Sequence, residues 1–241
     1  MKITIIHGSP RKGNTEAATQ VFKEEMLKQG DVKFVEFFMP KDLPEFCKGC
    51  MNCYLYGEDK CPHAQYTLPI LKEMVDSDAL IFTTPVFVMR ETACIKNFLD
   101  HYGYLFIVHR ARPEMFAKKA MIISSTVGAG TKDAIKSVGI SLKYWGINKI
   151  HSYSFKTFGD NWEVMKKDKK ITITRQIQKK ARRFFRDVAS GKRHSPYLLI
   201  RFMYQVSRFI IRKYYENESL DSRYWKQMGW YSGEKNPFRK S

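Results

Sequence analysis

The chain has 241 residues, 44% of them hydrophobic, which excludes a fully disordered chain and fits one large domain or one domain plus an extension. Lysine and arginine total 42 against 24 acidic residues, a net charge of +18, which raises nucleic acid, an anionic membrane face or acidic ligands as partners. Residues 1–150 hold 20 basic and 16 acidic side chains, and residues 151–241 hold 22 and 8, so the positive excess belongs to the C-terminal third.

No helix-turn-helix, zinc-finger or RNA-binding signature accompanies that charge, which argues against nucleic acid. Residues 2–6 are apolar, but His7-Gly8-Ser9-Pro10-Arg11 follows too early for a secretory signal, and no long uncharged apolar run predicts a spanning helix. Four of the five cysteines fall within Cys47–Cys61, unlike the spread framework of a secreted disulfide protein, so a reducing cytoplasm is the expected compartment.

In chain order, residues 2–6 read as a short buried strand, followed by a glycine- and serine-bearing turn. Thr15–Gln29 has apolar residues at 3–4 spacing and predicts a helix closed by Gly30 as C-cap. Val32–Phe38 predicts a second strand. Segment 40–65 carries Pro40, Pro44, Pro62 and the cysteines, and reads as a long functional loop. A helix is expected over Leu68–Val75, a strand over Ala79–Thr84 ended by Pro85, and a helix over Ile95–Phe106. Ala120–Ser125 predicts a fourth strand, Lys132–Tyr144 a helix and Lys149–Phe155 a fifth strand.

Strands alternating with helices imply an α/β fold with a parallel sheet covered on both faces. Five such strands predict a flavodoxin-like doubly wound domain over residues 1–158, strand order 2-1-3-4-5, with ligands at the carboxyl ends of the strands. Residues 159–241 are expected to form a basic, mainly helical C-terminal extension. It would hold an exposed helix over Lys166–Arg186 and a second helix over Tyr197–Tyr215 with a broad apolar face. Arg201, Gln205, Arg208 and Arg212 give that second helix a polar stripe, and a partly ordered aromatic tail follows from Ser219.

The first turn, Gly8-Ser9-Pro10-Arg11-Lys12-Gly13-Asn14-Thr15, lies between a strand and a helix. Glycine lets backbone approach a ligand, Ser9 and Thr15 offer hydroxyls, Arg11 and Lys12 add charge, and free N–H groups at a helix start favour an anion. It lacks both the Gly-Lys-Ser/Thr ending of a Walker loop and a G-x-G-x-x-G fingerprint. An ordinary strand–helix turn capped by Asn14 or Thr15 is the plain alternative.

His7–Thr15 resembles the FMN-phosphate loop of the flavodoxin-like NAD(P)H-dependent FMN reductases. Thr84-Pro85-Val86-Phe87 is similar to that family's second flavin loop, and Ile95–Asp100 resembles the helix after it. Thr126–Gly130 stands where the family places a third flavin loop. The resemblance covers about residues 1–155. It implies FMN held by Ser9, Arg11, Gly13, Asn14 and Thr15 at the phosphate, and by Pro85, Val86, Phe87, Thr126, Gly128 and Gly130 at the ring. Segment Val88–Thr92 departs from the family's short turn.

The cysteines run Cys47-x2-Cys50-x2-Cys53-x7-Cys61-Pro62. Two-residue spacings let successive thiolates converge, and a fourth returning after a loop can complete a cuboidal [4Fe–4S] cluster, as in a related ferredoxin pattern. Gly49 permits the tight backbone. With the flavin loops, the chain resembles the iron–sulfur flavoprotein branch of the family, which implies Cys47, Cys50, Cys53 and Cys61 as ligands. Zinc, bare thiols in a flavin-only protein, or an oxidised loop are the alternatives. Cys94 reads as a buried helix residue, and His63, His101 and His109 as ordinary polar residues.

The expected function is that of a cytoplasmic FMN-dependent oxidoreductase in electron transfer, coupling FMN to a [4Fe–4S] cluster. FMN carries the redox chemistry, so no side chain is expected to act as acid, base or nucleophile. The alternatives are an NAD(P)H-dependent FMN or quinone reductase without a cluster, and a non-catalytic basic scaffold. NAD(P)H, a quinone or a ferredoxin-like protein are the redox partners expected, a homo-oligomer is expected from resembling proteins, and the apolar helix of the extension raises contact with an anionic membrane.

Overall fold

The computed structural model describes residues 1–159, 161–214 and 219–238. Strands β1 (Lys2–His7), β2 (Lys33–Phe38), β3 (Ala79–Pro85), β4 (Lys119–Thr126) and β5 (Lys149–Lys156) form one sheet in the order β2-β1-β3-β4-β5. Every pairing is parallel. This is the expected flavodoxin-like topology.

Alternate residues of the central strands feed opposite layers, because side chains in a strand alternate between faces. Ile3, Ile5, Ala79, Ile81, Met121 and Ile123 pack towards α1 (Asn14–Leu27), whose Ala18, Phe22 and Met26 share their cluster. Ile6, Leu80, Phe82, Ala120 and Ile122 face the other way. There they meet α3 (Ala64–Asp76), α4 (Ala93–His101) and α5 (Thr131–Tyr144) through Met74, Phe98 and Leu142.

Three local expectations are corrected. Helix α1 ends at Leu27 with Lys28 as its cap, so Gly30 is not the C-cap; a Cβ on Gly30 would lie 2.9 Å from Phe185, so glycine there admits a packing helix. Helix α4 stops at His101, and a 3-10 turn, Gly103–Leu105, replaces the expected continuation to Phe106. A Cβ on Gly103 would stand 2.3 Å from the Tyr54 hydroxyl, so the bare glycine lets the cysteine loop approach.

The third correction concerns α6 (Lys167–Ala189), expected to be exposed. Its Ile173, Ile177, Ala181, Phe184 and Val188 are buried in the same cluster as α1 and β1. Helices α7 (Leu198–Tyr214) and α8 (Leu220–Gln227) build a separate cluster with the preceding domain. Ile200, Tyr204, Ile211, Trp225 and Trp230 pack there with Ile107, Ala111 and Phe116. Trp225 stacks on Tyr204 at 5.2 Å and donates its indole N–H to the His109 carbonyl at 2.5 Å. The expected helix end at Tyr215 lies outside the described residues.

Candidate flavin cleft and cysteine site

The carboxyl ends of β1, β3, β4 and β5 open into one cleft of about 370 Å³. The sheet puts three expected loops there because its topology reverses beside β1. Backbone bonds lace the loops together: Gly8 N–H to Thr83 O and Val86 N–H to Ser125 O, both 2.8 Å, and Thr157 N–H to Thr126 O, also 2.8 Å. Thr92 caps α4 by accepting the Ile95 N–H at 3.3 Å, and donates its hydroxyl to Gly8 O at 2.5 Å.

Of the expected cofactor residues, Ser9, Arg11, Gly13, Asn14, Thr15, Pro85, Val86, Phe87 and Thr126 line the cleft. Gly128 and Gly130 do not. Gly130 starts α5 at φ +93, and a Cβ there would meet Val86 and the Met89 backbone within 2.9 Å, so it seats the second loop. Thr15 gives its hydroxyl to a 2.6 Å bond with Ser125, buried between the first and third loops. Ser9 donates to the Arg11 carbonyl at 2.6 Å and shapes the turn. Gly13, rather than Asn14 or Thr15, caps α1.

Lys12, Ser125, Val127, Thr157, Gly159 and Asn161 complete the lining. Thr157, Gly159 and Asn161 follow β5, and the rule that ligands bind beyond carboxyl strand ends could have pointed to them. The second loop is strained: Val88 and Met89 have φ +47 and +66, uncommon for non-glycine residues and an outlier for a β-branched one. Val88 is 96% exposed.

The cleft suits a flavin nucleotide. Arg11 and Lys12 bring positive charge, and among the described lining residues none is acidic. The first amides of a helix have no partner within it and point at the loop. A Cβ on Gly13 would meet nothing within 4 Å, which leaves the backbone open to a phosphate.

The second site is the cysteine loop. Cys47, Cys50, Cys53 and Cys61 all line one small cavity of about 40 Å³, together with His63, Asp100 and His101. Gly49 and Met51 adopt left-handed backbone at φ +65 and +61, folding the chain between the cysteines. Helix α2 (Asn52–Leu55) begins immediately after Met51. Asn97 on α4 accepts the Cys47 N–H and donates to the Glu45 carbonyl, each at 2.9 Å.

Arg110 is buried and donates to the Cys53 and Tyr54 carbonyls and to the Asp221 carboxylate of α8. The C-terminal extension therefore braces the cysteine loop. Burial, reinforced by Cys61, Cys47 and Cys50, pushes the Cys53 thiol up to about 11, and burial also raises Cys61. These shifts favour the neutral thiols, and a bound cation would be what holds the cysteines of this cavity as thiolates, as a cluster or a metal does.

The histidines correct the sequence reading. His63 and His101 are buried and share a 2.9 Å ring-nitrogen contact, and His101 is anchored at Nδ1 by the Asn97 carbonyl at 2.9 Å. Ligand atoms of Cys61, His63 and His101 lie within 4.8 Å of one another. His109 pairs with Asp221 at 2.7 Å instead. Cys94 sits on α4 as expected, but it is only half-buried against the core.

A flavodoxin-like sheet with a basic, glycine-bearing cleft at its strand ends defines a flavin-binding class of protein. The chain belongs to the NADPH-dependent FMN reductase family, whose model matches residues 1–156. An iron-sulfur flavoprotein of Clostridioides difficile is 33% identical over 103 residues, 42% of this chain and 45% of that one. An iron-sulfur flavoprotein of Archaeoglobus fulgidus is 33% identical over 100 residues, 42% and 48% respectively. The chain thus spans about half the length of these relatives. Among solved structures, the NAD(P)H:quinone oxidoreductase of Methanothermobacter marburgensis has the same fold, with a TM-score of 0.56 at 16% identity. That match covers 78% of this chain and 97% of the other. Among the described residues, no helix is long and apolar enough to cross a membrane.

Proposed function

We propose that this chain is an FMN-dependent oxidoreductase that moves electrons between a nicotinamide donor and a one-electron acceptor through a [4Fe–4S] cluster. The observation that carries this reading is the convergence of Cys47, Cys50, Cys53 and Cys61 on one cavity beside α4, whose other end adjoins the flavin cleft. From Thr92 to Asn97 and His101, α4 rises about 8–14 Å. FMN, when bound, exchanges hydride or single electrons, and a cluster exchanges single electrons.

The chain's own residues bind and orient. The α1 amides, Arg11 and Lys12 hold the phosphate, while Pro85, Val86 and Phe87 wall the ring. Thr92 fixes the first loop on α4, and Asn97 fixes the cysteine loop on the same helix. The four cysteines hold the cluster. We assign flavin binding to residues 1–158 and read 159–241 as an extension that braces them. The donor is NADH or NADPH, and the acceptor a quinone or a small redox protein. The compartment is a reducing cytoplasm, and the assembly a homo-oligomer.

A second reading has its own observation: the Cys61, His63 and His101 trio offers a mixed sulfur–nitrogen donor set of the kind zinc takes. An anaerobic titration of the FMN-loaded protein with NADH and NADPH tests the main reading. The flavin band should bleach first and the broad cluster absorption should follow. A loaded protein that neither nucleotide reduces would contradict it.

A further inference from the structure

Helix α7 has two apolar faces, and only one of them is used. Ile200, Tyr204, Ser207 and Ile211 turn inward and are buried. Leu198, Leu199, Phe202, Phe209, Ile210 and Tyr214 face solvent, with Leu198 81% and Phe202 63% exposed. At 100° per residue these six occupy one continuous side of the helix. An outward apolar face of this kind on a chain with a full core calls for a partner.

The surroundings say which partner. Helix α7 carries Arg201, Arg208, Arg212 and Lys213 and not one acidic side chain. Gln205, Arg208, Phe209, Arg212 and Lys213 border a shallow groove of about 400 Å³ along the edge of the apolar face. Lys213 falls within the same arc, and its ammonium lies 5.7 Å from the centre of the Phe209 ring, so its long stem can lift the charge from the apolar side to the level of the headgroups. Arg208 is committed to the Tyr231 and Ser232 carbonyls, so exposed Arg201, Arg212 and Lys213 are the cations that form a place for phosphate groups next to a place for acyl chains.

We propose that the outward face of α7 docks on an anionic lipid surface. The helix lies in the interface plane with Phe202 and Phe209 among the acyl chains and Arg212 and Lys213 at the phosphates. A second copy of this chain fits the same face poorly. Residues 151–241 hold 22 basic and 8 acidic side chains, so two such regions brought together repel, whereas an anionic bilayer attracts them. At seventeen residues, α7 lies on the bilayer and does not span it.

Co-sedimentation of the full chain with vesicles tests this. Binding is expected to vesicles of phosphatidylcholine mixed with phosphatidylglycerol and not to phosphatidylcholine alone, and it should weaken at least about tenfold as salt is raised. The double variant Phe202→Glu/Phe209→Glu should lose vesicle binding while keeping its flavin content and melting temperature, since both rings are exposed. Arg212→Glu/Lys213→Glu should weaken binding at least about tenfold. Equal binding to both vesicle types, no binding to the mixed vesicles, or full binding by the phenylalanine variant would overturn the proposal. So would a dimer, seen by sedimentation velocity, that the phenylalanine variant dissociates in a chain that ignores vesicles, because the face would then belong to a second copy.

Discussion

Asn97 holds Cys47 in place: its side-chain oxygen accepts the Cys47 N–H at 2.9 Å, across fifty residues of sequence, while its amide donates to the Glu45 carbonyl. Helix α4 thereby ties the cysteine loop to the element whose first residues brace the flavin cleft. Asn97→Ala removes both bonds and leaves backbone groups of the loop unpaired, at a cost of about 1–3 kcal/mol. Urea unfolding should show that loss. The variant should also retain less iron than the parent after anaerobic reconstitution while FMN content is unchanged. Equal loss of both would mean that α4 supports the cleft and the loop as one unit.

Asp221 is the counter-charge of buried Arg110 and pairs also with His109. Without Asp221 the buried guanidinium keeps only the Glu58 carboxylate, 3.9 Å away, and the loss of its hydrogen-bonded partner costs about 3 kcal/mol. Asp221→Ala should therefore destabilise the chain strongly and free the Cys53–Tyr54 segment, read as faster thiol modification of Cys53 at a denaturant concentration where the parent is folded. Unchanged stability would show that the carboxylate is dispensable.

Two glycines separate folding from binding. A Cβ on Gly8 would lie 2.0 Å from Ile95 and 2.8 Å from the Thr83 carbonyl, so Gly8→Ala should displace the first loop from α4 and lower both stability and flavin affinity. Gly13 has φ −161, extended backbone, and an open surround. Gly13→Ala should leave the melting temperature unchanged and weaken FMN binding at least about tenfold, because one good contact to a charged group is worth about 1.5–3 kcal/mol. Retained affinity in Gly13→Ala would place the phosphate elsewhere.

The β2 edge gives a pH dependence. The His7 hydrogen bond, assisted by Lys23, holds the Glu36 carboxyl down at about 2, below its ordinary 4.5. A carboxylate with a lowered folded pKa contributes stability above its unfolded pKa and loses it as pH falls through the folded value. Glu36→Gln should cost about 1 kcal/mol at neutral pH after solvent screening. The gap between parent and variant should shrink from pH 4.5 towards 2, as chemical denaturation at successive pH values would show. A pH-independent gap would remove the ionic contribution.

Much of this was legible in the sequence. The buried runs of β1, β3 and β4 mark a parallel sheet, since residues covered on both faces read as continuous apolar strings. The glycine, serine and cation pattern of the first loop and the cysteine spacing are local, so both candidate sites can be read from neighbouring residues. The buried face of α6 was also present, as Ile173, Ile177, Ala181, Phe184 and Val188 recur at 3–4 spacing, but the density of lysine and arginine on the other face made the helix look exposed. What could not be read was long-range. The His63–His101 contact, the Arg110–Asp221 pair and the Asn97 bonds join segments 38 to 111 residues apart, and no local pattern specifies them.

The proposed function requires one chain to hold FMN in the strand-end cleft and an iron–sulfur cluster on its four clustered cysteines. Its most direct test is a single anaerobic preparation assayed for FMN, iron, acid-labile sulfide and zinc, beside a Cys47→Ser preparation. The parent should carry FMN with about four iron and four sulfide per chain, and the variant FMN without iron. Flavin with zinc, or flavin with neither metal nor sulfide after reconstitution, would contradict the cluster, and an absence of flavin would contradict the flavin site and the electron transfer built on it.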